Sequence, residues 1–265
     1  MTVALIAGEG SLPEVIASRL AGTGEKPLVY AMRGGIDAFA ASALEVIPLT
    51  GARIGGALRD MAQRGVKRVL LAGFVPKSLM YRPEAMDETA ALFLASLAER
   101  DDHSLLGAVV ALLEKQGIEV TGYRSLLGDL MARDGLIAGR PPTKAEEADA
   151  AYGVRIAGKV LPLSFGQSVI VSGRAVVAVE AMEGTDAAIA RAGSLCRGGV
   201  VVKMMKPGQD ERYDLPVVGL GTLRSMAKAG LSCLAIQAGW TITLDPDEFR
   251  QAAEDSGISV IGVDY

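Results

Sequence analysis

Short apolar runs alternate with amphipathic stretches through the first half of the chain, and this alternation restricts the fold more than any other feature. Val3–Ala7 (VALIA) reads as a buried strand. Pro13 stands just inside a helix running to about Leu20, where its missing N–H removes no bond. Pro27–Ala31 is a second strand, Glu45–Leu49 a weaker third, and a helix covers about Arg53–Arg64. Arg68–Gly73 is a fourth strand; helices over Asp87–Ala98 and Ser104–Lys115 then lead to a strand at Ile118–Gly122. Strands separated by helices require right-handed crossovers, so the expected first domain is a Rossmann-like parallel sheet.

The pattern changes after Gly135–Pro142 (GLIAGRPP), which reads as a linker because its glycines and Pro-Pro pair cannot continue a helix. Lys144–Lys159 is a helix. Ser168–Val171 and Ala175–Glu180 are strands joined as a hairpin by Ser172-Gly173-Arg174. A helix over about Asp186–Cys196 leads to a strand at Val200–Met205, and a strand–turn–strand–helix–strand run closes at Ile258–Val263. A length of 265 residues suits two ordinary domains. The expected fold is therefore α/β with two domains, residues 1–138 and a mixed α/β domain at 139–265, and with the active site in the cleft between them.

Composition removes several functions. A net charge of −4 speaks against a nucleic-acid surface, and a single histidine, His103, with two cysteines rules out His-rich metal sites and nearly all structural zinc. Cys196 and Cys233 form no CxxC motif, which points to a reducing cytoplasm. The N-terminus lacks the basic leader of a signal peptide, and no run approaches the length of a membrane-spanning helix.

Gly8-Glu9-Gly10-Ser11, with Leu12, lies between the first strand and first helix, where backbone N–H groups receive phosphates. Pro13 occupies the place of a third glycine, and Tyr30-Ala31-Met32 lacks the acid that holds a nicotinamide ribose, so an NAD enzyme is disfavoured. The plainer reading is a strand-to-helix turn with Ser11 as N-cap. Gly153–Lys159 resembles a P-loop, but Val160 stands where Ser or Thr should be, in a helical stretch; this is coincidence. Asp102 and His103 read as capping residues rather than as a base and its partner.

The densest chemistry lies in the second half. Glu183-Gly184-Thr185-Asp186 passes from a strand into a helix, and Lys203 to Pro216 leaves a strand through a Pro-Gly loop. Carboxylates at Glu183, Asp186, Asp210 and Asp214 beside Lys203, Lys206 and Arg212 suit a magnesium-assisted phosphoryl or pyrophosphoryl site. Each group also has a structural reading: Thr185 or Asp186 as a cap, Asp210 and Arg212 as a solvated turn pair.

At these residues a resemblance emerges. ALIAGEGSLP, VLLAGFVPK, DDHSLLGAVVALLEKQG, VVAVEAMEGTDAAIAR and VVKMMKPGQDERYDLPVVGLGT occur in that order. They resemble the UDP-2,3-diacylglucosamine pyrophosphatase family of the lipid A pathway, the LpxI type, over nearly the whole chain. A departure is Leu163–Gln167, where an acidic-Val-Gly-Gln run is expected and Ser164-Phe165-Gly166-Gln167 stands instead. The resemblance implies a magnesium-dependent hydrolase, with manganese as the alternative ion. It would split UDP-2,3-diacylglucosamine into UMP and 2,3-diacylglucosamine 1-phosphate (lipid X), gripping the substrate between two domains. It also implies a Gram-negative cytoplasm, with peripheral contact to the inner membrane through the lipid.

On this reading Gly8–Leu12, Gly73, Val75, Pro76 and Gly122 receive uridine or sugar, with Gln167, Glu183, Gly184, Thr185 and Lys206 also contacting substrate. Asp214 is the first choice for an essential carboxylate, as metal ligand or base. Asp210, Glu183 and Asp186 stand beside it as ligands, Asp210 also as a catalytic group, and Lys203 and Arg212 stabilise phosphate charge. Phe74–Pro76 and Leu79–Tyr81 offer apolar surface to acyl chains or cover a core. No nucleic-acid partner is expected, and a homodimer is an open alternative to a monomer. The rival functions are a nucleotide-sugar oxidoreductase and a non-catalytic nucleotide-sugar-binding protein.

Overall fold

The computed structural model describes residues 2–32, 36–51, 53–75, 82, 84, 86–97, 102–164 and 166–264, with backbone alone at 36, 102 and 103. The chain divides into two compact units: Met1–Leu127 with Asp210–Asp214, and Gly128–Gln209 with Leu215–Tyr265.

In the first unit the described elements are β1 (Thr2–Ala7), α1 (Leu12–Gly22), β2 (Leu28–Ala31), β3 (Glu45–Pro48), α2 (Ile54–Gln63), β4 (Val66–Ala72), α3 (Glu88–Ser96), α4 (Asp102–Lys115) and β5 (Glu119–Val120). The strands form a parallel sheet in the order β3-β2-β1-β4-β5, with β1 central. Near-continuous apolar runs are what a sheet covered on both faces requires. Ala4 and Leu5 are fully buried, and Leu28, Tyr30, Met61, Val69, Leu113 and Val120 pack into one core. Each large apolar side chain removed from water contributes about 1.5–3 kcal/mol.

In the second unit the elements are β6 (Gly135–Ala138), α5 (Lys144–Val160), β7 (Ser168–Ser172), β8 (Ala175–Val179), α6 (Thr185–Gly193), β9 (Val200–Lys203), β10 (Val217–Val218), α7 (Leu220–Ala229), β11 (Cys233–Gln237), β12 (Ile242–Thr243), α8 (Pro246–Asp255) and β13 (Ser259–Val263). The main sheet is mixed, in the order β6-β13-β11-β9-β7-β8. Strands β9, β11 and β13 run parallel; β6 and β7 join it antiparallel, and β8 closes the expected hairpin. Helix α5 begins in a capping box between Thr143 and Glu146. The P-loop-like residues lie inside α5, and their first glycine has a packing role: a Cβ on Gly153 would lie 2.5 Å from Val202 Cγ2.

Two expectations are corrected here. Gly135–Ala138 is not linker but the edge strand β6, paired with β13, and the units part at Leu127/Gly128. Gly139 serves a close approach: its φ is +71°, and an added Cβ would collide with Ile258 O. The C-terminal run also contains α7, which the strand-rich reading passed over; it buries Leu223 and Met226 between Gly219 and Gly230. Helix α4 starts at Asp102, but the capping expectation for Asp102 and His103 concerns side chains outside the described set.

Candidate functional site

The carboxyl ends of β9 and β11 carry an unusual set of buried polar groups, all within the second unit. Such strand ends are where open α/β sheets take ligands. Lys203 closes β9 at 9% exposure, and Lys206, three residues on, is 5% exposed. Register fixes the neighbours: Lys203 pairs with Ser168 of β7 and Ile236 of β11. Lys203 Nζ donates to Thr185 Oγ1 at 3.3 Å, so the first residue of α6 meets the end of β9. Among the described residues no hydrogen bond or ion pair reaches the Lys206 ammonium. Lys206 as a whole is thus largely enclosed while its ammonium stays open to an anionic ligand.

Three glutamines hold the backbone that presents these lysines. Met204 N donates to Gln167 O at 3.0 Å, Met205 N to Gln237 Oε1 at 2.9 Å and Lys206 N to Gln209 Oε1 at 2.9 Å. Gln167 N in turn donates to Glu180 Oε2 at 3.3 Å. Gln167 was expected to touch substrate; the structure places its carbonyl on the lysine loop. Gln209 and Gln237 escaped sequence reasoning, although a glutamine ending the apolar run Cys233–Gln237 is a signal.

Gly184 caps α6 with φ +83° and ψ 168°, a conformation essentially reserved to glycine, and this turn delivers Thr185 to Lys203. Glu183 pairs with Arg191 at 2.6 Å; its own backbone N–H and then the Arg191 guanidinium hold the carboxyl below its ordinary value. Asp186 is exposed in the first turn of α6, and α6 has no side-chain cap bond, so neither Thr185 nor Asp186 is a cap.

In the first unit, Glu9 and Phe74 exchange backbone bonds, Glu9 N to Phe74 O at 2.7 Å and Phe74 N to Glu9 O at 2.8 Å. Gly8 and Gly73 allow this contact, since a Cβ on Gly8 would lie 2.6 Å from Phe74 O. Gly10 (φ +98°) has open space around it, and Ser11 stands at the N-cap with no side-chain cap bond. Leu12 is buried in the core, whereas Phe74 and Val75 are exposed. Pro76 and Leu79–Tyr81 lie outside the described residues.

The Asp210–Asp214 segment belongs to the first unit. Tyr213 is part of that unit's core, where burial, then the Asp210 charge, pushes its hydroxyl up to about 12. Arg212 bonds Asp210, Glu114 Oε1 at 3.0 Å and Val120 O at 3.3 Å, and Gly122 passes close beneath it. The Arg212 guanidinium holds the Asp210 carboxyl below its ordinary value. Arg212, expected as a phosphate cation, is thus engaged in fastening the segment, and Asp214 N bonds Asp210 O at 3.3 Å.

Among the described residues no three carboxylate, His or Cys groups converge as metal ligands would. Asp210 and Glu183 are each bound to an arginine. Of the four expected carboxylates, Asp210 and Asp214 belong to the first unit and Glu183 and Asp186 to the second.

The family model described as the LpxI N-terminal domain matches residues 2–130, and that of the LpxI C-terminal domain matches 133–261. The chain belongs to the LpxI family. One similar relative is the UDP-2,3-diacylglucosamine pyrophosphatase LpxI of Caulobacter vibrioides, 32% identical over 274 residues, covering 98% of this chain and 96% of that one. The family's two domains correspond to the parallel-sheet and mixed-sheet units.

Proposed function

We propose that this chain hydrolyses the pyrophosphate bond of UDP-2,3-diacylglucosamine, releasing UMP and 2,3-diacylglucosamine 1-phosphate in lipid A synthesis. Membership of the LpxI family and the activity named for the Caulobacter relative support the substrate. The observation within the chain that carries the chemistry is the pair of buried lysines at the end of β9.

In this reaction a water oxygen adds to one phosphorus while the bridging P–O bond breaks, and the water's proton passes to a base. Negative charge grows on the phosphoryl and leaving oxygens. Lys203 and Lys206, held on largely enclosed side chains, stabilise that charge, and the Thr185 hydroxyl donates to a phosphate oxygen. Asp214 takes the proton or holds the metal. The Gly10–Ser11 turn and Gly122 are the proposed contacts for uridine or sugar. No step calls for a histidine or for a nicotinamide.

Magnesium belongs to this proposal as an ion arriving with the pyrophosphate. Asp214 would hold it together with the substrate phosphates, since magnesium sites commonly use only one or two protein carboxylates. When bound it would polarise the phosphoryl group. The lipid substrate would bring the enzyme to the cytoplasmic face of the inner membrane; among the described residues no helix is long and apolar enough to cross it.

The test is incubation of purified protein with UDP-2,3-diacylglucosamine and magnesium, with products followed by mass spectrometry. Stoichiometric UMP and sugar 1-phosphate are expected. Binding without turnover would replace the proposal with a non-catalytic nucleotide-sugar-binding function.

A further inference from the structure

We infer that Gln237 and Gln209 are positioning residues that set the Lys206 ammonium for a phosphate group. This rests on the reading of Lys206 as a phosphate cation.

The two glutamines come from different places, the end of β11 and the loop after β9, yet their side-chain oxygens accept consecutive backbone N–H groups at Met205 and Lys206. Both are buried, at 8% and 9% exposure. Gln209 N also donates back to Lys206 O at 3.1 Å, closing a tight loop around that residue. A loop leaving a strand normally satisfies its N–H groups with water or with a neighbouring strand. Here water is excluded, and each N–H has one protein acceptor. The result fixes the backbone on both sides of the Lys206 peptide. A lysine side chain has four rotatable bonds, so a fixed backbone is what confines its ammonium to one region before the anion arrives. Replacing either acceptor leaves a buried N–H unsatisfied, and the loop must shift to rehydrate it.

Gln237→Met removes the acceptor at similar length, and Gln237→Glu restores one. The single tryptophan, Trp240, whose backbone N–H donates to Gln237 O at 3.3 Å, reports binding by fluorescence. Sodium pyrophosphate serves as the binding probe, UDP-2,3-diacylglucosamine as substrate, and thermal melting monitors the fold. Gln237→Met should weaken pyrophosphate binding and lower kcat/KM by about ten- to a hundred-fold. Gln237→Glu should recover much of both. A Gln237→Met protein matching wild type in binding and kcat/KM would overturn the positioning role while leaving the hydrolase reading intact. Equal losses in the Met and Glu variants would also overturn it. Wild-type protein that neither binds pyrophosphate nor turns over substrate would remove the functional reading and this inference together. If Gln237→Met does not fold, Gln209→Met tests the neighbouring N–H with the same expectation.

Discussion

Arg212 grips Asp210 with a fork: Nη2 meets Oδ2 at 2.7 Å, and Nε lies 3.0 Å from both carboxylate oxygens. Two residues apart on one turn, they make a rigid staple whose free edge reaches Glu114. Tyr213, next in sequence, enters the core of the first unit. A loop rich in charge thus owes its placement to one buried ring and one guanidinium, and Asp214 follows directly.

The ring should matter more than the ion pair to Glu114. Tyr213→Ala removes a buried aromatic and should reduce unfolding free energy by roughly 3–5 kcal/mol. Glu114→Gln breaks a half-exposed pair and should change it by less than about 1 kcal/mol. Urea denaturation of the two variants checks the order; equal losses would mean that the ion pair anchors the loop.

Lys206→Met should separate stability from function. It replaces a largely enclosed lysine, whose ammonium has no hydrogen-bond or ion-pair partner among the described residues, by an apolar side chain of similar length, so the melting temperature should stay level or rise. Turnover should fall by about a hundred-fold or more. A variant that melts far lower and keeps its rate would show that Lys206 is structural.

These residues also show what sequence reasoning reaches. The strands β1, β2, β4, β9 and β13 are apolar on successive positions, a burial pattern readable without coordinates. Gly135–Ala138 was misread because glycine and proline advertise a break, while the pairing of β6 with β13 runs through backbone bonds that no side chain reveals. The charges of Arg212 and Asp210 were visible, but not that each satisfies the other. Gln209 and Gln237 carry neither charge nor motif, and only the folded loop after β9 and the end of β11 bring their side chains to consecutive N–H groups.

Chelation should stop catalysis without unfolding the chain. Among the described residues no three metal-ligand groups converge, so EDTA should leave the melting curve unchanged. Activity should vanish in EDTA and return with magnesium. Full activity in chelator would assign the phosphate charge to the lysines alone.

Acid should weaken the second unit through Glu146. Burial raises this carboxyl, but bonds from Arg140, Ser232 and Thr143 outweigh that and hold it at about 2, against an ordinary value of 4.5. A carboxyl with a depressed folded-state pKa stabilises the fold above the unfolded value, and that contribution disappears as pH falls from about 4.5 towards 2. The shift corresponds to a stabilisation on the order of 3 kcal/mol at neutral pH. Glu146→Gln should therefore lose stability at pH 7, and its gap from wild type should narrow steadily below pH 4.5. A gap independent of pH would assign the loss to packing.

Cutting the chain tests the division into units. A break after residue 138 would leave β6 with the wrong partner and strip β13 of its edge strand. It would also remove Tyr213 from the core formed by Leu28, Tyr30 and Val120. A fragment of residues 1–127 should therefore bind a hydrophobic dye and melt broadly, because its core lacks that ring. Residues 128–265 with Asp210–Asp214 replaced by a short Gly-Ser bridge should give a cooperative transition, since that segment belongs to the other unit. The same bridge on residues 139–265 should not, because the exposed edge of β13 invites association. Cooperative melting of 139–265 as sharp as that of 128–265 would show that β6 is dispensable, and would move the domain boundary past the strand.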